Sequence, residues 1–185
     1  ITLSGINLRQ YGKDISPTID FWDLYSTIEK NLASAWTSRA RFRISSLEPS
    51  ELHDKALTVI DNSTMLCPHL HLSLQSGSPK ILKRMNRGHY TPEMVSHFVD
   101  KLRAIWPVFA LGADILVGFP GETEALFQET KDFCASLPLT HVHVFPYSPR
   151  PGTPAATFSD KISAPVRKER STSIRTLVHH KNQNF

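Results

Sequence analysis

The chain has little cysteine. Only Cys67 and Cys134 occur among its 185 residues. They form no CxxC pair and match no zinc-ligand spacing, which excludes a disulfide-built scaffold and a zinc ribbon. Two buried or half-buried thiols in a reduced, cytoplasmic setting are the expectation. Long apolar runs are also missing: nothing approaches the roughly 20 residues of a membrane-spanning helix, and no signal-peptide pattern is visible. No repeat of solenoid period occurs. The first residue is not Met, and the opening Ile1-Thr-Leu-Ser-Gly5 is strand-like. That start reads as a cut through an element and predicts a fragment of a longer protein.

What remains is enough for one domain. Hydrophobic residues make up 40% of the chain, sufficient to bury a core. The net charge of +4 is local. From Ser163 onward there are five basic residues (Arg167, Lys168, Arg170, Arg175, Lys181) against Glu169 alone. The C-terminal stretch could therefore face nucleic acid, or present a solvated helix face. Residues 161–185 read as a basic helix leading toward a separate RNA-binding domain, and residues 1–160 as the main domain.

Strand-like and helix-like segments alternate along the chain. Strands are predicted at 1–4, 41–46, 69–75, 109–117 and 141–147. Helices are predicted at 20–34, from a Ser50 cap to about 61, at 79–85, 91–105, 123–136 and 165–180. Thr91-Pro92 is a cap followed by proline at the first helical position. Strands separated by helix-length segments imply parallel crossovers. A complete eight-stranded α/β barrel needs about 250 residues, so a partial barrel is the expected fold. In 69–75 and 141–147 one face is polar: His69, His71, Ser73 and Gln75 on one strand, His141, His143, Phe145 and Tyr147 on the other. A sheet covered by helices on both faces would be apolar on both. A barrel with a ligand-holding interior explains the pattern better.

The histidines resemble a metal-ligand set, and a metal-dependent barrel hydrolase is one alternative. They lie near the starts of their strands, however, whereas active sites gather at the carboxyl ends. They are read as polar filling, and no metal site is expected. Asp114, in the run Gly112-Ala-Asp-Ile-Leu-Val-Gly-Phe-Pro-Gly-Glu-Thr123, is a charge within an apolar strand and needs a partner. Gln75-Ser-Gly-Ser78 could offer backbone amides to an anion or form an ordinary strand–helix turn. Arg87 and Glu48 each read two ways, as ligand contacts or as solvated charges. The segment 145–154 holds four prolines, a stiff loop in which Phe145 and Tyr147 could stack on a base and Arg150 could meet phosphate.

Four motifs recur in order: His69-Leu-His-Leu-Ser-Leu-Gln-Ser-Gly-Ser78, Leu82-Lys-Arg-Met-Asn-Arg87 with Tyr90-Thr91, Asp114 to Thr123, and Phe145 to Ala156. Together they resemble the radical S-adenosylmethionine methylthiotransferases, which add a methylthio group to tRNA or to a ribosomal protein. Asn7-Leu-Arg-Gln-Tyr-Gly-Lys-Asp14 and Ser45-Ser-Leu-Glu-Pro49 resemble the branch that acts on N6-threonylcarbamoyladenosine of tRNA. The resemblance implies a TIM-like partial (β/α)6 barrel lacking its first strand, with S-adenosylmethionine across the carboxyl ends of the strands. Glu48, Gln75, Arg87 and Asp114 would hold its ribose and methionine parts. Leu116, Phe145 and Tyr147 would pack near the adenine, and Gly5 would meet the methionine amine. Arg150 and Thr153 would face the substrate.

The resemblance also implies tRNA, a reductant and a sulfur donor as partners, and [4Fe-4S] clusters as cofactors. The cluster would reductively cleave S-adenosylmethionine, and the resulting radical would take hydrogen from C2 of the modified adenine, where sulfur enters. The family binds its cluster on a Cys-x3-Cys-x2-Cys motif. No such motif occurs in this chain, so the chain alone is expected to be inactive. Action on another tRNA base or a ribosomal protein, and a plain RNA-binding module, are further alternatives.

Overall fold

A computed structural model describes residues 1–5 and 7–183. Its elements run β1 (Thr2–Leu3), α1 (Phe21–Trp36), β2 (Arg43–Ile44), β3 (Ser46–Leu47), α2 (Asp54–Asn62), β4 (His69–Gln75), α3 (Pro79–Arg84), α4 (Pro92–Ile105), β5 (Ala110–Val117), α5 (Glu124–Ser136), β6 (His141–Pro146) and α6 (Ala164–Asn182). Every described strand pair is parallel: β1 with β2, then β3, β4, β5 and β6 in order. This is the α/β partial-barrel order expected from the alternation of segments. The predicted strand at 41–46 is divided at Ser45 into β2 and β3, which join the two ladders at a corner.

The helices start where local chemistry allows. Asp20 accepts from the backbone N–H groups of Trp22 and Asp23, while Asp23 answers to the Asp20 N–H, a closed capping box. Thr91 and Thr123 cap α4 and α5 through their hydroxyls. The Ser50 cap does not form. Pro49–Glu51 is instead a short 3-10 turn, and α2 begins later, at Asp54. The Trp22 indole donates to the Glu51 carbonyl at 2.9 Å, which spends a carbonyl that a helix starting at Ser50 would need.

One side of the sheet buries the core. Leu70, Leu72 and Leu74 of β4 and Leu111, Ala113, Ile115 and Val117 of β5 are all but inaccessible. They meet the inward faces of α4 (Val95, Phe98, Val99, Leu102) and α5 (Phe127, Phe133, Cys134). On α1, Trp22 and Tyr25 are fully buried beside Phe21, while Leu24, Ile28 and Leu32 are only half-buried. Cys67 is half-buried and Cys134 buried, both free thiols as expected, and burial pushes the Cys134 thiol up to about 12.

Helix α6 packs on β6, β5 and α5. Its basic residues mostly face the protein. Arg170 donates to the Glu122 carbonyl at 2.7 Å and to its carboxylate at 2.9 Å, and reaches Glu124 at 3.0 Å. Arg167 donates to the Tyr147 carbonyl, and Arg175 to that of Val144 at 2.7 Å. Lys181 closes the carbonyl end of α5 at Ala135 and Leu137. The guanidinium groups of Arg167 and Arg170 therefore serve contacts within the protein. Arg170→Ala is expected to cost about 3–5 kcal/mol by stranding the buried Glu122 charge. Lys168→Ala is expected to stay within about 0.5 kcal/mol. Urea unfolding of the two variants checks the contrast.

Candidate functional site

Among the described residues, two groups of polar side chains face the interior. The first gathers at the carboxyl ends of β1 and β3 and the end of α3. Gly5, Asn7, Arg9, Ser46, Glu48, Ser73, Asn86, Arg87 and His89 are among the residues lining a cavity of about 400 Å³. Its centre is an ion pair: one Arg87 nitrogen lies 2.7 and 2.9 Å from the two Glu48 oxygens. His89 approaches Glu48 at 3.0 Å.

The turn after α3 explains how Arg87 arrives there. Asn86 adopts a left-handed conformation, φ 59°, which asparagine tolerates better than most residues. The Arg87 N–H then bonds the Leu82 carbonyl and the Asn86 N–H that of Lys83, closing the helix end. The chain reverses, and Arg87 points inward while Arg84 stays outside on Asp160 at 2.9 Å. Gln75 ends β4 at φ 61° beside a register shift. A non-glycine residue held there stores strain, and such strain gathers at binding sites. Next door the anion reading of 75–78 does not hold. The Gly77 and Ser78 N–H groups bond Thr130 and Ser76, all buried.

Toward the ends of β5 and β6 lies an apolar patch. Leu116 and Tyr147 pack with Phe119, Ile81, Met85 and Phe158. The Tyr147 hydroxyl is buried and has no hydrogen-bond partner. Phe145 is half exposed. Arg150 and Thr153 are exposed on the proline-rich loop, where the Thr153 hydroxyl donates to the Arg150 carbonyl at 2.8 Å. The turn that bounds this patch is clamped by Glu122, whose carboxylate accepts the Gly118 N–H at 2.6 Å. Gly118 needs its freedom, with φ 72°. Burial pushes the Glu122 carboxyl up, against the opposing pull of Gly118 and Arg170.

The second polar group lies deeper, across β4, β5 and β6. Asp114 meets the ring nitrogens of His71 at 2.9 Å and His143 at 3.1 Å through one and the same oxygen. His71 meets His141 at 3.2 Å, and Arg43 lies 3.0 Å from His69. Burial, with Arg43 beside it, lowers His69 to about 4, and burial likewise lowers His141. Burial alone would raise Asp114, yet His71 and His143 hold it below the ordinary carboxylate range. Asp114 therefore stands apart from Gly5, Glu48 and Arg87, which the structure brings together. The sequence did not reveal His89 or Asn86 as part of the cavity; the only signal was their nearness to Arg87.

Gly112 makes room for the histidines. A Cβ there would lie 2.1 Å from the His141 ring and 2.5 Å from that of His71. Gly112→Ala is expected to cost about 1–3 kcal/mol, the usual penalty of overpacking, measured by chemical unfolding.

Comparisons with known proteins bear on the fold and the family. The sequence model of the radical SAM superfamily matches residues 8–134. The threonylcarbamoyladenosine tRNA methylthiotransferase MtaB of Thermotoga maritima is 40% identical over 170 residues, covering 92% of this chain and 37% of that protein. MtaB of Bacillus subtilis is 41% identical over 170 residues, covering 92% and 36%. The tRNA-2-methylthio-N(6)-dimethylallyladenosine synthase of Carboxydothermus hydrogenoformans is 39% identical over 182 residues, covering 98% and 39%. This chain thus spans less than two-fifths of each of these relatives. Among solved structures, the radical S-adenosylmethionine methyltransferase TsrM from Kitasatospora setae, with cobalamin and a [4Fe-4S] cluster bound, superposes with a TM-score of 0.64 at 16% identity, covering 84% of this chain and 29% of that one. That likeness speaks for the fold. With a family match across most of its length and a parallel α/β partial barrel beneath it, the chain belongs to the radical S-adenosylmethionine superfamily.

Proposed function

We propose that this chain forms the S-adenosylmethionine-binding barrel of a tRNA methylthiotransferase that acts at C2 of N6-threonylcarbamoyladenosine. The observation that carries this reading is the Glu48–Arg87 pair facing a cavity at the strand ends. The donor set suits a zwitterion bearing a ribose. Arg87 offers a guanidinium to a carboxylate, Glu48 accepts from hydroxyl or ammonium groups, and Gly5 leaves space at the rim. Gln75, at the end of β4 in a left-handed conformation, would add an amide to the set. Leu116, Tyr147 and the exposed Phe145 offer apolar and aromatic surface for an adenine. When bound, S-adenosylmethionine would supply the methyl group of a methylthio product. Asp114 would touch it through its second carboxylate oxygen only, since the first is taken by histidines.

The iron–sulfur cluster does not fit the residues of this chain. Such clusters take several thiolates. Here one thiol precedes β4, and the other is buried in α5 with its proton held tightly by burial. No step through a cluster is assigned to these residues. The chain alone should accordingly be inactive, and incubation with iron and sulfide should leave it without cluster absorbance. A stable cluster on the isolated chain would overturn that expectation.

tRNA is the proposed substrate, with Arg150 and Thr153 on the exposed loop as its contacts. A reductant and a sulfur donor complete the reaction. The similarity to MtaB from two organisms favours the threonylcarbamoyl base, while the dimethylallyladenosine synthase, of nearly equal identity, supports the second branch. In the complete enzyme, Arg87→Ala is expected to weaken S-adenosylmethionine binding at least about 10-fold, near 1.4 kcal/mol. Nucleoside mass spectrometry of tRNA from cells lacking the gene should show the methylthio mass missing from N6-threonylcarbamoyladenosine. Loss from dimethylallyladenosine instead would move the enzyme to the other branch, and unchanged affinity in the Arg87 variant would reject the pocket.

A further inference from the structure

We propose that His71, Asp114 and His143 form a binding site for one divalent first-row transition metal ion of the zinc or iron(II) class, built into the barrel interior. The three ligand atoms come from three neighbouring strands and lie within 4.8 Å of one another. Parallel register brings them together: His71 stands opposite Gly112, and Asp114 stands directly opposite His143. Imidazole nitrogen and carboxylate oxygen bind such ions at about 2.0–2.2 Å, which places ligand atoms about 3.0–3.6 Å apart around a tetrahedral or octahedral ion. The two edges that meet at Asp114, 2.9 and 3.1 Å, are already close to that range. Two histidines with one carboxylate also match the hardness of these ions better than that of calcium or magnesium.

A second line of observation comes from behind His71. Its other ring nitrogen lies 3.2 Å from His141, whose far nitrogen lies 3.3 Å from the Thr140 hydroxyl, which donates to the Leu111 carbonyl at 3.2 Å. A carbonyl can only accept, so the chain runs one way: His71 Nδ1–H to His141, His141 Nδ1–H to Thr140, Thr140 O–H to Leu111. This is the outer-shell support that fixes the tautomer of a metal-bound histidine. It leaves the His71 Nε2 lone pair aimed at the Asp114 carboxylate, where two acceptors face each other and a positive charge belongs between them. A proton there would serve that one contact. A metal ion serves Nε2, the carboxylate and His143 together. Gly112 supplies the space that the arrangement needs, and His143, 61% exposed, leaves the site open to solvent for entry.

The sequence places the histidines too early in their strands for a barrel active site. A metal held at mid-strand depth is not bound by that rule, since it need not be the reacting centre. Its occupation also does not depend on S-adenosylmethionine. The test is cobalt(II) titration of the metal-free 185-residue chain, followed by visible spectroscopy and calorimetry, with zinc(II) as competitor. One equivalent of cobalt should bind with ligand-field bands of nitrogen and oxygen ligation, and zinc should displace it. Asp114→Asn and the exposed His143→Gln should each weaken binding at least about 10-fold, and Thr140→Val should weaken it through His141. Circular dichroism of the His143 variant controls for folding. Three results would overturn the site: no cobalt uptake, which leaves a proton between His71 and Asp114; a thiolate charge-transfer band, which puts the ion on a cysteine; or affinity unchanged in the Asp114 and His143 variants alike.

Discussion

The parallel register of β4, β5 and β6 is the constraint on which the rest of the molecule depends. Side chains alternate across a strand, so one register assigns every residue of the three strands to helix side or interior. With Asp114 opposite His143, the leucines and valines of the three strands, Leu116 excepted, turn to the helices, and the polar residues turn inward. A slip of one residue would bury His71 and Asp114 against the helices and expose Leu72 and Ile115. The cost of burying those polar groups against apolar helix faces is what holds the register, and Gly112 permits it by yielding its place to two imidazole rings.

From that register the two polar groups follow. Glu48 and Arg87 reach the rim because β3 ends there and because Asn86 turns the chain back after α3. The histidines stay deeper because they lie on residues that precede the strand ends. The interior thus holds two separate polar groups, a mutually bonded histidine layer within the strands and a charged cavity at their carboxyl ends.

Much of this was legible in the sequence where a single period governed. Alternation in 69–75 and 141–147 disclosed both the strands and their polar face, and Thr91-Pro92 and Thr123 disclosed two helix starts. What escaped were properties of contact between distant segments. Ser50 looked like a cap, and only the Trp22 indole on Glu51 explains why the helix starts later. The basic residues of α6 looked like a surface, yet Arg167, Arg170 and Arg175 each answer a carbonyl or carboxylate on a distant segment. Glu48 and Arg87 were each ambiguous alone; that they pair with one another, 39 residues apart, is a contact no local pattern could show. Asp114 needed a partner on grounds of charge, but the identity of that partner lay on two other strands.

The clamp on Gly118 ties the timing of folding to the end of the chain. Glu122 holds the turn locally, but its charge is answered by Arg170, 48 residues later. During synthesis a domain emerges from its N-terminus first, so the strands that line the cavity are complete well before their turn is neutralised. Until residue 170 appears, the loop that bounds the apolar patch carries a carboxylate with no cation to receive it. The final shape of that apolar patch is therefore a late event, set when α6 docks, and a nascent chain stalled before that point would hold the Gly118 turn without its cation.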